Sequence, residues 1–92
     1  MGYTDDDSIK NDIKIRLSAL IKEDLPETGE IDMEKDIQQE YGINSVSIIS
    51  ILVAAEREFK VSFTDYELDL DEYKTFGDVA AVIKEKIDQK ED

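Results

Sequence analysis

Glu40-Tyr41-Gly42-Ile43-Asn44-Ser45-Val46, with the apolar run that follows it to Phe59, is the stretch on which the fold turns. Gly42 can take φ > 0 without strain, which suits a chain that turns sharply before a helix. Asn44 or Ser45 can then accept a hydrogen bond from the first unpaired N–H groups, as a helix N-cap does. From Val46 onward the pattern is helical. At about 100° per residue, Ile48, Ile51, Leu52, Ala55 and Phe59 share one face with Ile49 at its edge, and this face is most simply core. Val46, Ser47, Ser50, Val53, Ala54 and Arg57 fall on the other face. Taken alone, Asn44-Ser45 is more simply a cap than a ligand site. It nevertheless puts a serine hydroxyl at an exposed helix N-terminus, where free N–H groups and the helix dipole favour a phosphate.

Composition narrows the function classes. Ninety-two residues make one domain, 1–92, with 1–4 and 89–92 as its loose ends. A net charge of −13 disfavours nucleic acid and anionic lipid as partners and favours a basic protein surface, although acidity also keeps small proteins soluble. The chain has neither cysteine nor histidine, so disulfides, the usual zinc sites and the ordinary nucleophile–base pairs are absent. An enzyme is therefore not expected. No segment approaches the ~20 apolar residues of a membrane span. The acidic N-terminus lacks the basic and apolar regions of a signal peptide, and Asp6 stands where a myristoylated chain needs Ser or Thr. These features predict a cytoplasmic monomer.

Apolar periodicity predicts an all-α bundle of three longer helices and one short one. The first opens at Asp5-Asp6-Asp7-Ser8, buries Ile9, Ile13, Leu17, Leu20 and Ile21, leaves Lys10, Lys14, Arg16 and Lys22 solvated, and closes near Asp24 ahead of Pro26. A long connection from about Leu25 to Asn44 follows. Gly29 breaks it, Asp32 caps a short turn through Met33 to Gln39, and Ile31, Met33 and Ile37 anchor it. After the central helix, Lys60 to Phe63 reads as an extended connector. Thr64 with Glu67 makes a capping box for a short helix from Asp65 to Tyr73, with Leu68 and Tyr73 or Leu70 turned inward. Thr75 with Asp78 opens the last helix, whose face is Phe76, Val79, Val82, Ile83 and Ile87; Gln89 to Asp92 fray.

Two other constellations carry less. Asp65, Glu67, Asp69 and Asp71 alternate as in a calcium loop, but the sixth and twelfth positions counted from Asp65 are Leu70 and Phe76, not Gly and Glu. A solvated acidic helix is the simpler meaning. Tyr3, Tyr41, Tyr66 and Tyr73 are not interleaved with basic residues, so a nucleic-acid stacking platform is unsupported.

Gly42-Ile43-Asn44-Ser45-Val46, followed by an apolar helix ending in Glu56-Arg57-Glu58-Phe59, resembles the acyl carrier protein family, and the likeness runs from about Ser8 to Ile87. In that family a Gly-x-Asp-Ser-Leu element carries the serine to which 4′-phosphopantetheine is attached. The resemblance implies a four-helix carrier bundle in which Ser45 is the attachment site, flanked by Asn44 and Gly42. It departs from the family at Asn44, where Asp is usual, and at Val46, where Leu is usual. It further implies a phosphopantetheinyl transferase as partner, acyl-loading and chain-processing synthase enzymes as later partners, and a thioester on the cofactor's thiol. Partners would dock on Val46, Ser47, Ser50, Val53, Ala54 and Arg57. Fatty-acid carriers usually present acidic residues at the positions of Ser47 and Ser50; here the acids lie at Glu58 and in Asp65–Glu72. With the Glu40-Tyr41-Gly42-Ile43 ending of the long loop, this suggests a polyketide-like or other specialised pathway. A peptidyl or aminoacyl carrier, or an unmodified helical interaction module, remains the alternative. Carriers can also admit an acyl chain among their helices, and Ala55, small where Leu is frequent, either leaves room beside Phe59 or is backed by Phe63.

With 24 acids against 11 bases on one small surface, self-repulsion should weaken as salt screens it over a Debye length of about 10 Å at 0.1 M. The thermal midpoint should rise from very low to moderate salt, and further with millimolar magnesium. A flat profile would show that the acids are spaced widely enough not to matter.

Overall fold

Acids at the positive end of a helix dipole favour an early start. In the computed structural model, which describes residues 5–90, helix α1 runs Asp5–Asp24, followed by a 3₁₀ turn over Pro26–Thr28. Helix α2 is Ile37–Tyr41, α3 is Ser45–Phe59 and α4 is Phe76–Lys90, with a second 3₁₀ turn at Leu70–Glu72. The fold is thus an all-α bundle of three long helices and one short one. Among the described residues no strand forms; Asp36 and Thr75 make a single antiparallel bridge. Helix α1 packs against both α3 and α4.

The core follows the apolar stripes. Ile13, Leu17 and Ile21 of α1 meet Ile48, Ile51, Leu52, Ala55 and Phe59 of α3 and Phe76, Val79, Ala80 and Ile83 of α4, all buried. Full burial of each larger aliphatic or aromatic side chain is worth about 1.5–3 kcal/mol against leaving it in water, so this layer carries the bundle. Leu20, Val82 and Ile87 pack at its margin, whereas Ile9 lies exposed. Phe63 is buried with Phe59, and Glu56 draws the connector after α3 back onto the helix by accepting the Phe63 N–H at 2.7 Å.

Besides the exposure of Ile9, four sequence expectations are corrected. The short turn capped by Asp32 is displaced: Asp32 Oδ1 accepts only the Glu34 N–H, while Asp36 caps α2 by accepting from Gln38 and Gln39 at 2.9 Å each. What moves the helix is tertiary, since the Ile37 N–H donates to the Lys74 carbonyl and the Gly77 N–H to the Met33 carbonyl, both at 2.8 Å. The Asp65–Tyr73 helix does not form. Its capping box closes, with Thr64 N–H to Glu67 Oε1 at 2.8 Å and Glu67 N–H to Thr64 Oγ1 at 3.3 Å, but the chain then turns. Like charges at Asp65/Asp69 and Glu67/Asp71 oppose helix at i,i+4, and Asp69, in extended conformation, takes the Asp71 N–H for itself. Leu70 and Tyr73 are nonetheless buried. Third, α4 stays helical through Gln89 to Lys90; the expected loose ends 1–4 and 91–92 lie outside the described residues.

The fourth correction concerns Arg16, which is partly exposed but is not an unpartnered surface charge. Its Nε donates to Glu58 Oε2 at 2.8 Å, Nη2 to the Glu58 carbonyl at 2.9 Å and Nη1 to Asp12 at 3.2 Å, and its guanidinium lies 4.6 Å over the Phe59 ring. The Glu58 hydrogen bond, then Asp12, raises its pKa further. Arg16 therefore ties α1 to the last turn of α3, satisfying a terminal carbonyl there.

Tyr73 gives the fold an alkaline limit. Its hydroxyl donates to the Glu67 carbonyl at 2.7 Å, and burial first, then the charges of Glu67 and Glu72, push its pKa up to about 12. A folded-state pKa above the ordinary 10.0 means that this stabilisation is whole below pH 10 and is lost as pH rises toward 12. Thermal melts should fall across that window. Tyr73→Phe should flatten the fall while losing about 0.5–1.5 kcal/mol at neutral pH for the missing hydrogen bond.

Candidate functional site

The approach to α3 is built from three residues with distinct tasks. Gly42 ends α2 at φ 61°, ψ 29°, its N–H donating to the Gln38 carbonyl at 3.0 Å. A Cβ there would meet nothing within 4 Å, so the demand is for the left-handed conformation rather than for space. Ile43 is buried and anchors the turn. Asn44 is extended, and its Oδ1 accepts the Ser47 N–H at 2.9 Å while its carbonyl accepts the Ile48 N–H at 3.0 Å. Asn44, not Ser45, is therefore the N-cap.

That division leaves Ser45 available. It is the first residue of α3, it is exposed, and its hydroxyl makes no hydrogen bond among the described residues. The N–H groups of Ser45 and Val46, in the first turn, have no intrahelical acceptor, and the helix dipole points its positive end at them. An oxygen nucleophile thus stands beside open donors, the arrangement that suits a phosphodiester joined at that oxygen.

The outer side of α3 is more apolar than its sequence suggested. Val46 is 77 % exposed, Ile49 40 % and Val53 38 %, so Ile49, expected at the edge of the core, joins Val46 and Val53 in one stripe leading from Ser45. Ser47 and Ala54 are half-buried and Arg57 is exposed. Ser50 is exposed but engaged, donating to Asp24 Oδ1 at the end of α1 across 3.2 Å. The acids of lower α3 face their own fold: Glu56 holds the Phe63 N–H and Glu58 holds Arg16.

The acidic segment after α3 is partly consumed as well. Glu67 pairs with Lys86 at 2.8 Å, and that hydrogen bond first, then the Thr64 N–H, holds its carboxyl below the usual range. Asp69 caps its own turn, while Tyr66 is 85 % exposed. Among the described residues no set of three or more Asp or Glu side chains is placed to hold a metal ion, and no helix is long and apolar enough to cross a membrane.

Two contacts that hold the site escaped the sequence reading. Tyr41 packs its ring against Phe76 with centroids 5.7 Å apart, and its hydroxyl accepts the Asp32 N–H at 2.7 Å. Its place directly before Gly42 was the only signal for that role.

Residues 16–83, well over half of the chain, match the model of a family described as the phosphopantetheine attachment site. No curated protein and no solved structure matches the chain. The matched stretch contains Gly42, Asn44 and Ser45 and the whole of α3.

Asn44→Ala should remove the cap on Ser47 and cost about 1 kcal/mol of stability. Asn44→Asp should keep the acceptor and bring a charge favourable to the dipole, so its melting temperature should match or exceed that of the parent chain. Circular dichroism melts of the two variants check both outcomes.

Proposed function

We propose, because the chain belongs to the phosphopantetheine-attachment family, that it carries acyl groups as thioesters on a 4′-phosphopantetheine arm joined to Ser45. The observation that carries this reading is the division of labour at the start of α3: Asn44 takes the cap and leaves the Ser45 hydroxyl exposed and uncommitted. The arm supplies a flexible thiol that the cysteine-free chain lacks. The chain's own part is to present the Ser45 Oγ to a phosphopantetheinyl transferase, to offer the first-turn N–H groups to the resulting phosphodiester, and to be recognised. Carrier domains of this family do not themselves catalyse.

Recognition, in this reading, runs along Val46, Ile49 and Val53, with Ser47, Ser50, Ala54 and Arg57 around them. Burying such side chains stabilises a complex by about 25 cal/mol per Å², and contiguous exposed apolar residues mark contact surfaces more often than scattered ones do. The neutral Ser47 and Ser50, and the engagement of Glu56 and Glu58 within the fold, favour apolar docking in a specialised, polyketide-like pathway over charge-led docking on this helix. The carrier would act as a cytoplasmic monomer.

Incubation with coenzyme A, magnesium and a broad-specificity transferase should raise the intact mass by one phosphopantetheine, and Ser45→Ala should abolish the gain while keeping the helical signal. Addition at another serine, or none with any transferase tried, would overturn the reading in favour of an unmodified module. Val46→Asp and Val53→Asp should each weaken binding to a cognate enzyme strongly without unfolding the bundle. Reversing Asp69 and Asp71 should chiefly change association rate and salt dependence. If the reversals abolish binding while both valine changes are silent, docking is electrostatic and the pathway assignment falls.

A further inference from the structure

A cleft of about 270 Å³ opens between α1 and α4, lined by Lys10 and Lys14 on one side and Gly77, Ala80, Ala81 and Lys84 on the other. The four α4 residues stand at i, i+3, i+4 and i+7 and so form one continuous face. Gly77 is held small by the Met33 carbonyl, from which a Cβ would stand 3.0 Å. Ala80 is buried, so the floor is short and apolar. The rim is basic, and its charges are unequal. Lys84 is paired with Asp88 at 2.6 Å, whereas Lys10 and Lys14 make no ion pair among the described residues although acids outnumber bases 24 to 11. Like charges at i,i+4 oppose one another, and here two cations one turn apart border an apolar floor without an ion pair of their own among the described residues.

We propose that this cleft is a second docking surface, taking a helix of a partner protein that presents acidic residues at i and i+4 beside a short aliphatic side chain. The spacing is the reason for a helix: Lys10 and Lys14 lie one turn apart, and carboxylates one turn apart on a facing helix match them, with the aliphatic group seated on Ala80 and Ala81. The size is the reason for a protein, since the cleft falls below the roughly 300–1,000 Å³ of small-molecule pockets. An anionic membrane is excluded by the net charge of −13, which repels an extended negative surface but lets in a helix bearing a few charges. The surface goes beyond the carrier reading and does not depend on Ser45. No residue of α3 lines the cleft, so a partner seated here leaves the start of α3 free.

The test uses the isotope-labelled full chain at physiological ionic strength. The probe is an alanine-based helical peptide with Glu at i and i+4 and Leu at i+3. Amide resonances of Gly77, Ala80 and Ala81 should move while those of Val46 to Val53 stay still. Lys10→Glu/Lys14→Glu should weaken binding by about tenfold or more, as loss of complementary charge at close quarters does. Lys10→Arg/Lys14→Arg should retain it, and Lys22→Glu, on the exposed side of α1, should leave it unchanged. Lys10→Gln/Lys14→Gln serves if the reversal variant loses its native spectrum. The proposal is overturned if millimolar peptide moves no cleft resonance, if α3 responds instead, or if charge reversal has no effect. It is equally overturned if inorganic pyrophosphate or phosphatidylglycerol vesicles move the same resonances as strongly, or if they move with protein concentration alone. Parallel assays on Ser45→Ala should give the same binding, so failure here is separable from failure of the attachment reading.

Discussion

Two backbone hydrogen bonds govern where everything at the start of α3 ends up. The Gly77 N–H reaches the Met33 carbonyl and the Ile37 N–H reaches the Lys74 carbonyl, each at 2.8 Å, so the long connection after α1 is stitched to the segment that begins α4. Helix α2 has five residues, far short of the ~12–15 at which an isolated helix becomes marginal in water. It exists because that stitch, the Asp36 cap and the burial of Ile37 hold it. Tyr41 extends the same attachment through its ring on Phe76 and its hydroxyl at Asp32. Gly42 and Asn44 follow directly, so the position of Ser45 is set from α4 through α2.

The acidity of the chain acquires a second meaning in the structure. Asp32, Asp36, Glu56, Glu67, Asp69 and Asp78 each accept at least one backbone N–H in a turn, cap or connector. A carboxylate is a stronger acceptor than a neutral group, and a small bundle with long irregular segments has many N–H groups to satisfy. Part of the net charge is thus a by-product of closing loops. It follows that acid content is a poor guide to where partners bind, and that the apolar stripe of Val46, Ile49 and Val53 and the basic cleft of Lys10 and Lys14 are more informative features.

The three long helices were legible because each carries a stripe that repeats over several turns, and Thr75-x-x-Asp78 and Gly42-x-Asn44 are local signals whose bonds form as their spacing implies. Ser45 was legible as a candidate for the same reason. The misplaced pieces lack such repetition. Asp32 and Asp36 are equally good caps by residue type, and the choice between them rests on Lys74 and Gly77, distant in sequence. The Thr64–Glu67 box promised a helix that charge repulsion and the Asp69 turn then denied. Arg16 looked like one more surface base because nothing local announces Glu58 and Phe59 as its partners.

The stitch between Met33 and Gly77 bears on how the chain tolerates rearrangement. Segments that look like exchangeable modules are not independent: the loop before α3 and the first turn of α4 are two halves of one piece, separated in sequence by the whole of α3 and its connector. A chimera that takes α3 and its preceding loop from another bundle but keeps this α4 would meet a foreign backbone at Gly77, where only 3.0 Å is available to any Cβ. Crossovers placed outside 31–78 keep both halves together, whereas those inside split them. Natural recombination among related bundles is under the same constraint, so the loop and the start of α4 should be inherited as a pair.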